Sequence, residues 1–219
     1  MTRAYRNSLI GSAAYLLAVS LFVTGVWWVG FGAALDQLSR RATSDLALAS
    51  DSLAAELKRF RELAVLTADR PEVTAALQDA DMVAALRPVL QEIADKTGAL
   101  DIRLVGLDGV QLAGVQAGVA NSHAGEAYFE RAMDGALGTA HLMPSQAGPR
   151  RFIFAAPVFS AAGPVMGALV VSAGVEAVEG AWRGARPALF FTDTDGMIFV
   201  SNRSELVMRS RKAGDFIQY

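Results

Sequence analysis

The first part of the chain contains no charged residue between Arg6 and Asp36. A helix needs about 20 apolar residues to cross the hydrocarbon core of a bilayer, and this run is long enough to cross with some tilt. We therefore predict a short cytoplasmic segment over residues 1–7 and a transmembrane helix over residues 8–34. A cleaved signal peptide is the alternative, but its apolar region usually spans only about 7–15 residues.

The charges that flank this run bear on its orientation. Arg3 and Arg6 before the run favour a cytoplasmic N-terminus, whereas Arg40 and Arg41 after it act in the opposite sense. A long domain that follows a membrane helix can cross the bilayer regardless of such charges. We therefore predict that the N-terminus is inside and that the rest of the chain lies outside.

Beyond the run, apolar residues recur in steps of three, four and four, a period of about 3.67 residues per turn. This pattern predicts a long stalk helix over residues 35–68 with charged residues on its other faces. No following domain is close enough in sequence to cover the stripe near residues 35–50. We predict that this part pairs with a second copy of the chain to form a homodimer, and that the helix packs on its own domain after about Leu57. Packing of the whole stripe on its own domain is the alternative. The stripe consists of Leu35, Leu38, Ala42, Leu46, Ala49, Leu53, Leu57, Phe60 and Ala64.

Two further helices are predicted next. Pro71 suits the first position of a short helix, where the missing N–H would have no helical partner. Asp81 is predicted to cap a second helix that runs to about Thr97, with a break or kink at Pro88. Gly98 is predicted to end that helix.

The pattern then changes to alternation of apolar and polar residues, which indicates strands. The predicted elements are a hairpin over residues 102–114, a polar loop over 116–125, a helix over 126–133, a loop-rich segment over 135–148, strands over 152–159 and 165–173, and a closing helix over 175–182. We predict an α+β fold in which residues 69–186 form a domain with a PAS-like, five-stranded antiparallel sheet.

An internal repeat predicts a second unit. Residues 101–112 resemble residues 188–199 when Asp108-Gly109 is aligned with Asp195-Gly196, and each Asp-Gly pair is typical of a hairpin with a primed turn. Only a polar tail follows Glu205, and a hairpin alone does not form a stable domain. We therefore interpret residues 187–219 as an incomplete second copy of the fold.

The composition excludes several functions. The net charge of −2 gives no electrostatic basis for binding nucleic acid, and the absence of cysteine excludes disulfides and thiolate metal sites. No nucleophile elbow, phosphate loop or dinucleotide fingerprint is present. We predict no catalytic residue, cofactor or metal site; His123 and Glu126 are interpreted as solvated loop residues rather than metal ligands.

Four segments together resemble the tandem PDC/Cache sensor regions of sensor histidine kinases of the four-carbon-dicarboxylate type. They are DIRLVGLDG at residues 101–109, AYFERAMDG at 127–135, RRFIFAAPVFSAAGPVMGALVVSAGVEAVEGAW at 150–182 and ALFFTDTDGMIFVSN at 188–202. The resemblance implies that residues 69–186 are the membrane-distal PDC module, which binds a small ligand outside the cell. It also implies a second PDC module, a second membrane helix and a cytoplasmic kinase.

The resemblance also implies positions that contact the ligand. The family usually has Arg-Pro-Tyr-Phe where this chain has Glu126-Ala127-Tyr128-Phe129, so the aromatic pair is kept and an acid replaces the arginine that binds a carboxylate. A Tyr-rich strand of the family matches the segment that begins at Phe152, and Ser172 stands where the next strand often ends in lysine. The candidate ligand-binding residues are Tyr128, Glu126, Phe129, His141, Arg151, Phe152 and Ser172.

The replacement at Glu126 leaves three alternatives for the ligand. A dicarboxylate would be repelled by this acid unless cationic side chains compensate. The candidates for that positive charge are Arg131, Arg150, Arg151 and His141. A cationic or amine ligand would instead be satisfied by Glu126, and a pocket that has lost ligand binding is the third alternative.

These observations predict a sensing module of the bacterial inner membrane. We expect a single-pass chain, mostly periplasmic, that forms the input region of a two-component histidine kinase and transmits ligand binding through a dimeric helix. A chemoreceptor or a cyclic-dinucleotide enzyme could equally follow such an input region. A membrane-anchored interaction protein with a degenerate pocket is the alternative of a different class.

Overall fold

The N-terminal helix is the longest element of the computed structural model, which describes residues 2–116, 122–143, 149–180, 182–183, 186–212 and 215–218. This helix, α1, spans Thr2–Ala68. Among the described residues it is the one helix long and apolar enough to cross a membrane, and it lies near the N-terminus. The chain forms two units, residues 1–49 and 50–219, and α1 contributes residues to both.

In the first unit, large apolar side chains of α1 are exposed. Trp28 is 76% exposed, and the rings of Trp27 and Phe31 stack with their centroids 5.3 Å apart. A continuous apolar surface of this kind is unfavourable in water and is normal for a helix surrounded by lipid.

In the second unit, α1 is followed by helices α2 (Pro71–Gln78) and α3 (Ala80–Thr97). The predicted start of α2 at Pro71 and the predicted stop at Gly98, which has a φ of 72°, are confirmed. The predicted cap of α3 is wrong, because the carboxylate of Asp79 accepts the N–H of Asp81 at 3.0 Å and Asp79 is therefore the N-cap.

Of the break or kink predicted at Pro88, the break is wrong, and the kink stays a prediction. The helix is continuous through this proline, although proline removes one helical hydrogen bond. Leu86 and Leu90 on either side of it are fully buried, and their packing holds the helix together.

An antiparallel sheet of five strands is the centre of the unit, in the order β2-β1-β5-β4-β3. This arrangement confirms the predicted α+β fold with a five-stranded antiparallel sheet. The elements are β1 (Asp101–Gly106), β2 (Gln111–Gly114), α4 (Ala127–Met133), β3 (Gly138–Leu142), β4 (Arg151–Phe159), β5 (Val165–Gly174) and α5 (Val175–Gly180).

Two of these elements differ from the prediction. Strand β3 lies within the segment predicted to be loop-rich, because its short, polar sequence pairs as an edge strand with β4 from Gly138–Ala155 to Leu142–Arg151. Helix α5 ends at Gly180, before the predicted end at Trp182; the N–H of Trp182 donates to the carbonyl of Glu179 at 3.0 Å. The bond from Trp182 closes a tighter turn, which ends the helix.

The sheet is buried on both faces by different helices. One face packs against the end of α1 and against α2 and α3. Its core includes Phe60, Ala64, Leu86, Leu90, Ile102, Leu104, Phe154 and Leu169. The other face, which we call the α4 face, packs against α4 and includes Val105, Tyr128, Phe129, Ala132, Ile153, Ala155, Ala168 and Val170. Side chains alternate between the two faces along each strand, so position in the strand decides which face a residue joins.

A second hairpin follows, formed by β6 (Phe190–Thr192) and β7 (Ile198–Ser201). It repeats the register of the first hairpin, including the residue at which the ladder is irregular. The pairs are Leu104–Ala113 and then Val105–Gln111 in the first hairpin, and Phe191–Val200 and then Thr192–Ile198 in the second. The structural correspondence is therefore the one obtained by aligning the two Asp-Gly pairs.

The turns of both hairpins differ from the predicted primed type. Gly109 and Gly196 have positive φ values of 78° and 81°, whereas Asp108 and Asp195 do not. A type I′ turn needs positive φ at both central residues, so this prediction is wrong. The N–H of Gly109 instead donates to the carbonyl of Gly106 at 3.0 Å, and the glycine follows the turn.

The sequence predicts only a polar tail after Glu205, but this segment contains regular secondary structure. A short 3₁₀ helix (Ser204–Leu206) leads to strands β8 (Arg209–Lys212) and β9 (Asp215–Gln218), which pair with each other. Strands are recognised in a sequence by the alternation of apolar and polar residues. The mostly polar residues of β8 and β9 show little such alternation, so sequence analysis missed both strands.

Candidate functional site

Charged residues lie in the interior of the α4 face. Asp101 and Arg103 alternate with buried apolar residues along β1, in phase with Val105, which places them on this face. Asp101 is fully buried, and one of its carboxylate oxygens accepts Nε–H of Arg103. The other oxygen accepts the N–H of Gln116 at 3.4 Å. The sheet therefore carries an ion pair where an apolar core would otherwise continue.

His123 and Tyr128 form a second polar pair beside it. His123 is 4% exposed and Tyr128 is 6% exposed, and Nδ1 of the histidine lies 2.8 Å from the tyrosine hydroxyl. The N–H of His123 donates to the carbonyl of Gly109 at 2.8 Å, which fixes the loop before α4 against the turn of the first hairpin. A Cβ at Gly109 would lie 2.5 Å from the nitrogen of Ala124, so this contact requires glycine.

Gly138 sets the position of Tyr128 from the other side. A Cβ at Gly138 would lie 1.8 Å from the carbonyl oxygen of Tyr128, so only glycine lets β3 approach the first turn of α4 this closely. The tyrosine is therefore held between the edge strand, the sheet and the loop that carries His123.

Burial keeps both partners of this pair uncharged at neutral pH. The pKa of His123 is lowered by burial and then by the positive charge of Arg103, against the opposing effect of Asp101. The pKa of Tyr128 is raised to about 12 by burial and by the negative charge of Glu126, against Arg103 and Arg151. Arg103 and Arg151 therefore lie close enough to the His123–Tyr128 pair to affect its pKa values electrostatically.

The structure brings some of the predicted ligand-binding residues together and separates others. Tyr128 and Phe129 lie in the core of the α4 face, and Arg151 and Ser172 join that face by their positions in β4 and β5. Arg151 and Ser172 are both buried. Glu126 caps the start of α4 without a side-chain hydrogen bond to it, and its residue is exposed.

His141 and Phe152 lie on the opposite face from Tyr128. They pair across β3 and β4, in phase with Phe154 rather than with Ile153. Both rings contact Phe199 of the second hairpin, with centroid distances of 5.0 Å for His141 and 5.1 Å for Phe152. These two residues therefore belong to the junction with the second hairpin and not to the polar cluster around Tyr128.

The other two arginines considered as sources of charge have different partners. Arg131 is exposed, and its Nε–H donates to the carbonyl of Leu137 at 3.0 Å. Arg150 is buried and donates to both carboxylate oxygens of Glu179 and to the carbonyl of Phe199. Neither side chain is directed to the α4 face by these contacts.

Sequence analysis missed Asp101 and Arg103 as site residues and misjudged His123. The signal for the first two was present: charged residues in phase with the buried Val105 of a strand indicate a polar site within the core. The interpretation of His123 as a solvated residue is wrong, because its loop is held against the first hairpin. No group of three or more His, Asp or Glu side chains that could hold a metal occurs in the described part of the chain.

The sequence matches no family model and no curated protein. The structure resembles solved sensor domains. The sensor domain of the V. cholerae histidine kinase DctB has a TM-score of 0.73 and 21% identity, with 82% of this chain and 72% of that chain covered.

Two chemoreceptor domains are also similar. The ligand-binding domain of Pseudomonas fluorescens chemoreceptor CtaA in complex with L-serine has a TM-score of 0.60 and 14% identity, with coverage of 80% and 77%. The corresponding domain of Campylobacter jejuni chemoreceptor Tlp3 in complex with L-valine has a TM-score of 0.56 and 15% identity, with coverage of 79% and 77%. The resemblance drawn from the sequence is confirmed at the level of the fold, and the chain has the PDC/Cache fold of receptor sensor domains.

Proposed function

We propose that the chain is the extracytoplasmic input region of a transmembrane receptor that senses a small organic molecule, with a two-component histidine kinase as the parent protein. The fold shared with receptor sensor domains and the candidate membrane helix near the N-terminus support this proposal. In it, residues 1–7 are cytoplasmic, residues 8–34 cross the bacterial inner membrane once, and the domain from residue 69 lies in the periplasm.

The buried polar cluster of the α4 face is the observation that carries the proposal. Burying an ion pair and a neutral His–Tyr pair costs more desolvation free energy than filling the same space with apolar side chains. Such a cost is typical of a binding site, where a few polar groups fix the orientation of a ligand between apolar walls. The ligand site proposed here is formed by Tyr128, Phe129, Arg151 and Ser172, together with Asp101, Arg103 and His123.

The signal would pass to the membrane through α1. In the proposal, the apolar stripes of two copies pair over about residues 35–50, and the ligand stabilises one arrangement of the pair at the expense of another. A ligand shifts such an equilibrium only by the difference in its affinity for the two states. Phe60 and Ala64 of α1 are buried against the face of the sheet opposite the site, so the sheet itself would carry the change from the site to α1.

The first test is a ligand screen on the full chain in lipid nanodiscs. Thermal unfolding is followed with monocarboxylates, dicarboxylates, amino acids and amines. A ligand at 100 times its Kd should stabilise the folded chain by about 2.7 kcal/mol. Arg151→Gln should abolish that shift, whereas Arg131→Gln, which changes an exposed arginine that bonds a nearby carbonyl, should leave it unchanged.

The absence of any shift across the panel would overturn the sensing function and favour an interaction protein whose pocket has degenerated. An equal loss in both arginine variants would count against the α4 face as the binding site.

A chemoreceptor is the second candidate for the parent protein, and the likeness to the CtaA and Tlp3 domains favours it. The input region would act in the same way, and only the cytoplasmic output would differ. The coding sequence downstream of Tyr219 distinguishes the two: a phosphoacceptor helix and an ATP-binding domain indicate a kinase, and a long methyl-accepting coiled coil indicates a chemoreceptor.

A further inference from the structure

His123 carries a buried ring nitrogen to which no described residue forms a hydrogen bond. Its Nδ1 faces the hydroxyl of Tyr128, but Nε2 is shielded from solvent and has no hydrogen-bond partner among the described residues. An unpaired buried polar atom costs about 1–3 kcal/mol, so it is rare in folded proteins without a functional reason. His123 as a whole is 4% exposed.

The partner at Nδ1 decides what Nε2 can bind. Tyr128 keeps its proton up to a pKa of about 12, so its hydroxyl can donate to Nδ1 of the neutral imidazole. A neutral histidine that accepts at one nitrogen carries its hydrogen on the other. In this arrangement Nε2–H is a donor, and the group that complements it is an acceptor.

The charges around His123 select the kind of acceptor. The positive charge of Arg103 lowers the pKa of both His123 and Tyr128, and that of Arg151 lowers the pKa of Tyr128. The pair is therefore close to positive charge from β1 and from β4. Asp101 offsets Arg103 through their ion pair, and it is the acid that acts on His123 from the sheet. Arginine and imidazole donors together are the usual partners of a carboxylate.

We propose that His123 contacts the ligand directly and that its Nε2–H donates to the carboxylate of a small organic acid bound on the α4 face. This assignment rests on the proposed sensing function. Glu126 occupies the position at which the family usually has a carboxylate-binding arginine. His123 would give the site a carboxylate-binding group that the sequence resemblance does not supply.

A consequence is that ligand affinity depends on pH through His123. A bound carboxylate favours the imidazolium, so affinity should rise as the pH falls through the pKa of the histidine. The groups that face His123 are Tyr128 from α4 and Asp101 and Arg103 from β1; Arg151 and Glu126 act on Tyr128.

The test measures the Kd of the full chain in nanodiscs by calorimetry, with the tightest acid among propionate, lactate, pyruvate, succinate and malate as the probe. His123→Phe keeps a ring but no donor, and it should weaken binding about tenfold or more, the usual loss for a hydrogen bond to a charged group. His123→Gln keeps a donor that does not titrate; it should bind with moderate loss and should lack the rise in affinity at low pH. His141→Gln, on the opposite face, is the matched control and should keep both the affinity and the pH profile.

Three outcomes overturn the assignment while leaving the sensing function in place. The first is a His123→Phe chain that binds the acid as tightly as the unchanged protein. The second is a His123→Gln chain with an unchanged pH profile, which decides the matter if His123→Phe does not fold. The third is a panel in which only amines produce a thermal shift. If no compound shifts the unfolding temperature, the sensing function itself fails, and the role of His123 fails with it.

Discussion

Arg150 and Glu179 form a bidentate ion pair in which each side chain is 9% exposed, with N–O distances of 2.8 and 2.7 Å. The carboxylate also accepts the N–H of Ser201 at 2.8 Å, and the guanidinium donates to the carbonyl of Phe199 at 2.5 Å. One pair of side chains therefore joins the segment before β4 and helix α5 to strand β7 of the second hairpin.

Loss of one partner of this pair should destabilise the domain strongly. Glu179→Leu leaves the charge of Arg150 buried without its carboxylate, and breaking such a pair costs about 3–5 kcal/mol. Denaturant unfolding of the full chain measures the change in the free energy of unfolding. Arg150→Met combined with Glu179→Leu should recover part of the loss, because no unpaired charge then remains.

Glu176 provides the control for this prediction. It lies 3.6 Å from the same guanidinium, but its side chain is 49% exposed, so Glu176→Leu should cost no more than about 1 kcal/mol. Equal effects of the two single variants would contradict the special role of Glu179.

Gly138→Ala should disturb the α4 face through the backbone of Tyr128. The new methyl group would have to displace a carbonyl oxygen that lies 1.8 Å from its position, which forces β3 and α4 apart. Overpacking of this kind typically costs about 1–3 kcal/mol, and here the displaced atom is backbone. Thermal unfolding measures the loss, and the ligand-induced shift should fall as well. Gly180→Ala adds a methyl group with no atom within 4 Å, so an equally large loss there would contradict the explanation.

The hydroxyl of Tyr128 should lose its proton at a higher pH than that of an ordinary tyrosine. Its folded-state pKa of about 12 lies above the usual value of 10.0, so the unfolded chain releases the phenolic proton first as the pH rises. The free energy of unfolding should therefore decrease from about pH 10 to about pH 12, and Tyr128→Phe should remove that part of the decrease. Ultraviolet absorbance of the phenolate measures the titration directly. A difference spectrum between the two proteins with its midpoint near pH 10 would contradict the buried hydroxyl.

The dimer proposed for α1 predicts a pattern of cysteine crosslinks. Leu38 is 65% exposed and Ala42 lies one turn further along the same stripe, so Leu38→Cys and Ala42→Cys should each crosslink in membranes. The chain has no native cysteine to interfere. Arg40→Cys, on the other side of the helix, should not crosslink. A uniform response at all three positions would indicate random collision rather than a paired stripe.

The elements that sequence analysis predicts well are those whose own residues decide their structure. The strands β4 and β5 match their predicted ranges within one residue at each end, because short apolar runs bounded by turn residues are typical of strands that are buried on both faces. Gly98 ends α3 as predicted because only glycine adopts a left-handed φ without strain.

Several failures share a different cause: the contact that decides the structure lies outside the segment itself. Strand β3 exists because β4 supplies its hydrogen bonds, and α3 continues through Pro88 because the leucines beside it are buried. The same holds for the site. Ser172 and Arg151 reach the α4 face by the phase of their strands, but the burial of His123 depends on a turn formed by residues around Gly109.

The equal spacing of the two hairpins has an implication for how such chains change in length. Gly106 corresponds to Asp193 and Gly109 to Gly196, and the ladder on each side is interrupted at the same step. Unequal recombination between the two stretches of coding DNA would therefore splice the start of one hairpin onto the end of the other with both strands still paired.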